Sequence, residues 1–394
     1  MQYDLIIIGG GMVGASLACA LQESTLRIAL VDAAPLNTRH DPRLIALNYS
    51  SYCLLHNLGV WQDLAEHAAP IEQVHISDRG HFGKIRLKAE EAGVGALGYV
   101  VPAQEINAAL NHALTKQNRI TILRPATLKQ LSQTESHANL TIETETETDT
   151  IELQGKIIIG ADGTHSTVRE LLNIETQITE CQQSAIVTIT ELQRSHLGVA
   201  YERFHQTGAV AMLPLVGNRV ATIWTDDNQA IDALLQLDDA SFLKTLQTQF
   251  GYRLGRLKHI GKRYTYPLHM LKSEQMIKQH VVLMGNAAHT LLPLAAQGLN
   301  LALAEIAMLA QCITDNPHDP NWQTYLSWQE KQQSNSTRLS HELPKLFSQD
   351  FSLVTIARQI GMIGLDIFPA AKKRFAFKAM GRAGQLPRLL LGKG

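Results

Sequence analysis

The chain has only four cysteines, Cys19, Cys53, Cys181 and Cys312, widely separated and without a CxxC pair. That spacing argues against a zinc site and a disulfide framework, and it suits a reducing cytosol. Long apolar runs are also missing, since no window approaches the roughly 20 residues needed to span a bilayer. The start, Tyr3-Asp4-Leu5-Ile6-Ile7-Ile8, has no basic leader and no small-residue cleavage site. Nor does one sign of charge dominate: 35 Lys plus Arg stand against 36 Asp plus Glu, which gives no ground for a nucleic-acid partner. The expectation is a cytoplasmic protein, at most peripheral to the inner face of a membrane, with no metal site.

What is present is enough hydrophobic sequence, 45% of 394 residues, to bury a sizeable core, and enough length for two packed units. Residues 5–8, 12–21 and 27–31 alternate strand and helix patterns, which reads as a βαβ unit with a parallel sheet. A helix is expected over 43–58, stopped by Gly59. Residues 74–101 read as strands broken by glycines, and helical spacing resumes over 105–114. The Thr- and Glu-rich stretch 140–153 has a period of two and reads as an exposed hairpin. Residues 184–225, with turns at Leu197-Gly198, Thr207-Gly208 and Gly217-Asn218, suggest a second, mainly antiparallel sheet. A strand over 281–284 and then helices follow, so the first unit is interrupted by the second.

Three motifs carry chemistry. The first, Gly9-Gly10-Gly11-Met12-Val13-Gly14, is a GxGxxG between a strand and a helix. Gly9 allows the tight turn, Gly11 lets backbone approach a pyrophosphate, and Gly14 lets helix and strand pack closely. The helix N-terminus offers free N–H groups to phosphates, and Asp32, ending the next strand, can accept from ribose hydroxyls. This motif alone does not separate FAD from NAD. The second is Gly160-Ala161-Asp162-Gly163, followed by Thr164-His165-Ser166, a turn and helix cap after the strand 156–159. The third is Gly285-Asn286-Ala287-Ala288-His289, then Pro293, then Ala296-Gln297-Gly298-Leu299-Asn300.

In this order the motifs resemble those of class A flavoprotein hydroxylases. The resemblance implies a Rossmann-like FAD-binding domain of the glutathione-reductase/para-hydroxybenzoate-hydroxylase type, with an inserted antiparallel substrate domain and a helical C-terminus. The implied division is 1–73, 100–178 and 266–345 for the FAD-binding domain, 74–99 and 179–265 for the substrate domain, and 346–394 for the helical end. It implies that Asp162 and Gly163 touch the pyrophosphate side of FAD, and that Gly285, Asn286, Pro293 and Gln297 meet its ribityl and ring. Gly298, Leu299 and Asn300 would place a helix N-terminus at the pyrimidine edge, where reduced flavin carries negative charge. Arg43 matches an arginine at the head of the second helix, near FAD. Gln104 matches a further contact, with Ala103 as the alternative for that slot. Asn286, Ala296, Ala302 and Glu305 depart from the family's usual Asp, Gly, Gly and Asp. No second GxGxxG stands between a strand and a helix, since Gly93-Val94-Gly95-Ala96-Leu97-Gly98 has the spacing but leads into strand-like sequence, which fits NAD(P)H as a transient co-substrate.

Beyond the motifs, Val74-His75-Ile76-Ser77-Asp78-Arg79-Gly80-His81, Glu202-Arg203-Phe204-His205, Ala211-Met212-Leu213-Pro214 and Gly261-Lys262-Arg263 resemble the ubiquinone-biosynthesis branch. That branch implies hydroxylation of a polyprenylated methoxyphenol, at ring carbon C1, by O2 and NAD(P)H through a flavin C4a-hydroperoxide. Such chemistry asks for a dry pocket more than a catalytic dyad. His289 and His205 are therefore read as hydrogen-bonded structural groups, and no acid–base residue is assigned. A prenyl-chain reductase sharing the fold and a flavin-binding scaffold are the alternatives. The tail 367–394 carries Lys372, Lys373, Arg374, Lys378, Arg382, Arg388 and Lys393 with no acid, among Phe368, Phe375 and Phe377. It reads either as a contact to anionic lipid or a biosynthetic complex, or as a helix docked on the body by its aromatics.

Overall fold

The computed structural model describes residues 1–35, 41–116, 119–144, 150–291, 297–348 and 352–392, with backbone only at 337–346, 348 and 352–353. The opening forms β1 (Gln2–Ile8), α1 (Met12–Ala20) and β2 (Ile28–Val31), with the two strands parallel. Leu5 and Ile7 enter one core and Ile6 and Ile8 another. Cover on both faces explains an unbroken apolar run where a half-buried strand would alternate.

The helix expected over 43–58 is a strand followed by a shorter helix: β3 (Leu44–Asn48), then α2 (Tyr49–Asn57). The Asn48 side chain accepts from the Ser51 N–H at 2.9 Å and so starts α2, while Gly59, at φ +74°, follows its end. Next come α3 (Trp61–Leu64), β4 (Ala69–Ile71), β5 (Gln73–Asp78), β6 (Lys84–Lys88), α4 (Ala89–Ala92), β7 (Gly98–Pro102) and α5 (Ala103–Thr115). Tertiary pairing overrides local preference at β3. It runs antiparallel to β7, where Gly98 admits the Leu47 carbonyl into space that a Cβ would fill.

β8 (Ile120–Leu123) lies beside β2, and β9 (Ala126–Gln133), β10 (Ala138–Thr144) and β11 (Thr150–Gly160) form a meander ending beside β1. The hairpin of β10 and β11 is one-sided. Leu140, Ile142 and Leu153 are buried under it, and only its polar face is exposed. Its tip, 145–149, lies outside the described residues.

After α6 (Thr167–Leu171) the second sheet is built from β12 (Thr176–Leu192), β13 (Val199–His205), β14 (Gly208–Leu215) and β15 (Arg219–Asp227), with turns where expected. α7 (Asn228–Leu235) and α8 (Asp239–Phe250) cover one face through Ile231, Phe242, Leu246 and Phe250. β16 (Leu257–Ile260) and β17 (Tyr264–Ser273) pair with β12, while β18 (Ile277–Lys278) and β19 (Val281–Leu283) return to the first sheet. β20 (His289–Thr290) then leads to α9 (Gln297–Asp315), α10 (Trp322–Ser348), α11 (Ser352–Ile367) and α12 (Pro369–Ala379). β5 joins the second sheet parallel to β13, bringing β6 with it. The expected α/β architecture, with an inserted, mainly antiparallel sheet and a helical C-terminus, is borne out. Phe375, Met380, Leu386, Leu389 and Leu390 of the tail pack into the body's cores, as the docked-helix reading expects.

Candidate functional site

The carboxyl ends of the first sheet's parallel strands and one face of the second sheet enclose a cavity of about 2060 Å³. In doubly wound folds this is where ligands bind. Three backbone turns form one wall. At Gly9, φ is +104°, and a Cβ would collide with the Ala161 carbonyl. A Cβ on Gly14 would collide with the Gly9 carbonyl, so strand and helix meet in the space that glycine leaves open. Gly11 is the N-cap of α1 and offers no side-chain cap, so the first-turn N–H groups face the cavity beside Met12 and Val13.

Asp32 directly follows β2, is 5% exposed, and pairs with Arg124 at 2.6 Å. Arg124 also donates to the Gly10 carbonyl at 2.9 Å and to Asn111 Oδ1 at 3.0 Å. It thereby locks the carboxylate to the glycine turn. Sequence reasoning missed Arg124, although the signal existed. The parallel register sets Val31 beside Leu123, which brings the next residues, Asp32 and Arg124, together.

Asp162 follows β11. Its Oδ2 accepts from the Val168 N–H at 3.0 Å, and its Oδ1 is buried without a partner among the described residues. Gly163 takes φ +88°, and Ser166 caps α6 by accepting from the Arg169 N–H at 3.1 Å. Arg169 donates to the carbonyls of Thr164, at 2.7 Å, and Ala287, at 2.8 Å, and so ties the second motif to the third.

In the third motif Gly285 takes φ +55° and faces Val13 of α1, which brings all three motifs to one wall. Asn286 is exposed to the cavity and reaches Thr164 Oγ1 at 3.4 Å. Pro293 lies outside the described residues. Among the described residues α9 begins at Gln297, whose Oε1 is buried with no partner among them, and Gly298 and Leu299 present first-turn N–H groups at the cavity. The Asn300 side chain has a structural task. It accepts from the Asn48 N–H at 2.9 Å and Ser51 Oγ at 2.7 Å and donates to the Ala46 carbonyl at 2.8 Å, fixing α9 to β3 and α2.

Two expectations are corrected. Arg43 lines the cavity but heads no helix. It precedes β3 and pairs with Asp41 at 2.6 Å, which raises its pKa. Gln104 is not brought to the cavity. It is exposed on the first turn of α5 and donates to Glu105 at 3.1 Å, because the N-terminal turn of α5 buries Ala103 instead.

The second sheet supplies an apolar floor. Alternate residues of β13, Ala200, Glu202 and Phe204, line the cavity beside Ile76 of β5 and Ala211 of β14. Glu202 is the charged exception, and burial pushes its carboxyl up from the ordinary 4.5 to about 7. No basic group or hydrogen-bond donor contributes to that shift. Sequence reasoning missed it because a glutamate in an alternating strand reads as solvent-facing. His289 and His205 do not line the cavity. His289 lies 2.7 Å from buried Glu305; burial opposes its charge, but Glu305 outweighs that and raises its pKa. Burial lowers that of His205, 3.9 Å from Asp226.

This donor set fits a flavin dinucleotide. Two helix N-termini and a glycine turn face one wall, and two buried acceptor atoms, Asp162 Oδ1 and Gln297 Oε1, await donors. The comparisons agree. Residues 2–316 match the model of the FAD binding domain family. The chain is 31% identical to ubiquinone hydroxylase UbiL of Rhodospirillum rubrum, over 99% of this chain and 92% of that protein. It is 27% identical to 3-demethoxyubiquinol 3-hydroxylase of Escherichia coli, over 82% of each. The crystal structure of p-nitrophenol 4-monooxygenase PnpA from Pseudomonas putida shares the fold, with a TM-score of 0.79 at 14% identity, over 98% of this chain and 100% of that one.

Proposed function

The chain belongs to the FAD binding domain family of flavin-dependent monooxygenases, and from that premise we propose that it hydroxylates the ring of a polyprenylated methoxyphenol in ubiquinone biosynthesis, at carbon C1. The observation that carries this is the cavity itself, where a dinucleotide cradle opens onto an apolar floor large enough for a ring and part of a prenyl chain. The names of the relatives from Rhodospirillum rubrum and Escherichia coli support the substrate class.

In this reading residues 1–73, 100–178 and 266–345 form the FAD-binding domain, except that 266–273 complete β17 of the second sheet. Gly9, Gly11, Gly14 and the start of α1 take the pyrophosphate, and Asp32, steadied by Arg124, takes the adenosine ribose. Asp162 and Gly163 meet the pyrophosphate side, while Gly285, Asn286, Pro293 and Gln297 hold the ribityl chain and ring. The N–H groups of Gly298, Leu299 and Asn300 face the pyrimidine edge, with Arg43 nearby. Bound FAD, reduced by a visiting NAD(P)H, supplies the activated oxygen. The chain's own residues orient the ring and keep water out. Glu202 accepts the phenolic proton at its carboxylate, which makes the ring the stronger nucleophile. Among the described residues, exposed Lys373, Arg374 and Lys378 of the tail are available to meet an anionic lipid or a partner protein, and Lys393 lies outside the described residues.

Oxygen uptake with NAD(P)H, stimulated by a short-chain prenyl methoxyphenol, tests this. Reduction of that compound without oxygen would replace the hydroxylase with a reductase.

A further inference from the structure

α11 turns Arg358, Met362 and Leu365 toward the cavity. On its outer face Ile356, Ile360, Ile363 and Ile367 recur at helical spacing, with Phe368 beyond, and they are 54%, 65%, 41%, 65% and 65% exposed. Phe82, 95% exposed, adjoins them, since neighbouring Gly83 hydrogen-bonds Gln359 of α11. The helix's own charges do not break the stripe: Arg358 pairs with Asp78 and Asp366 with Arg86. Single exposed apolar residues are ordinary, but a contiguous run of them marks an interaction surface.

The flanks are cationic. β6, which packs on α11, alternates buried Ile85 and Leu87 with exposed Lys84, Arg86 and Lys88. α12 adds exposed Lys373, Arg374 and Lys378. Against these and Lys372 stand Glu90, Glu91 and Asp366, of which Glu91 pairs with Lys372, so positive charge is in excess. An apolar stripe flanked by cations suits a helix lying in the headgroup region of an anionic bilayer. No helix among the described residues is long and apolar enough to cross a membrane.

We propose that the outer face of α11, with Phe82 and Phe368, docks this protein on the surface of an anionic lipid bilayer. The cations of β6 and α12 then lie at phosphate level. Because α11 also walls the cavity, docking brings the cavity against the acyl region, where a prenyl chain resides. The biological use of the surface rests on the function proposed above, whereas the surface itself does not.

The test is sedimentation of full-length, flavin-loaded protein with vesicles of phosphatidylcholine alone or mixed with phosphatidylglycerol. The protein follows the mixed vesicles, and added salt weakens binding. Combining Ile360→Glu with Ile367→Glu lowers partitioning by about tenfold or more. Ile178→Glu, at an exposed isoleucine of β12, leaves it unchanged. Flavin absorbance reports that each variant is folded. Should the double variant lose flavin, slowed amide exchange over 354–368 of the unaltered protein on adding mixed vesicles decides instead. The proposal is overturned if the protein follows neither vesicle, if the double variant binds equally well, or if light scattering shows that this face closes a dimer without lipid. Vesicle binding without substrate-dependent oxygen uptake leaves docking standing and removes the hydroxylase; the reverse outcome removes docking alone.

Discussion

Gly14 is where a single added side chain would separate helix from strand at the cofactor wall. Gly14→Val should give a protein with native-like circular dichroism that purifies colourless, and a folded yellow variant would refute the cradle. Arg124 tests the charge balance of the same wall. Arg124→Ala removes the guanidinium that pairs with buried Asp32, and should lower stability by about 3 kcal/mol in urea titration. Glu202 tests the floor. Its folded pKa, about 7, lies above the ordinary 4.5, so the folded state holds the proton more firmly than the unfolded state does. Its contribution to stability therefore falls as pH rises through that window. Glu202→Gln should melt higher than the unaltered protein at pH 8, by an amount of order 1 kcal/mol, and equally at pH 4. In activity the sign reverses. Hydroxylation should rise with pH through about 7 in the unaltered protein and be flat in Glu202→Gln.

At the scale of elements, the parts read correctly from sequence were those whose local chemistry allows one outcome. The glycines of the first motif announce a strand, a tight turn and a helix together, and φ at Gly9 is indeed positive, as it is at Gly163 of the second motif. The turns between β13, β14 and β15 carried their own glycines in the same way. The helix expected over 43–58 was misread because Leu44-Ile45-Ala46-Leu47 fits a helix as well as a strand, and only the partner β7 decides. Gln104 and Glu202 were illegible for a related reason: which way they face is set by packing distant in sequence. Asn300 joins these elements, since α9, β3 and α2 meet at its amide. Asn300→Ala should cost about 2 kcal/mol and release flavin more readily on dilution, as read by recovered flavin fluorescence.

For the whole molecule, two sheets divide the task. The first holds the glycine turn, Asp32 and Asp162, and the second offers an apolar floor with one titratable carboxyl, so in the proposed function cofactor and substrate would meet where the chain passes between them. The sequence motifs reach only the first half of that design. The cavity's floor is formed by β5 and β13, which lie far apart in sequence, and no local pattern announces it. The most direct measurement is mass spectrometry of the product formed from a prenyl methoxyphenol by purified protein, FAD and NAD(P)H under oxygen-18 gas. The account predicts one labelled oxygen atom on the ring, whereas an unlabelled or chain-reduced product would contradict it.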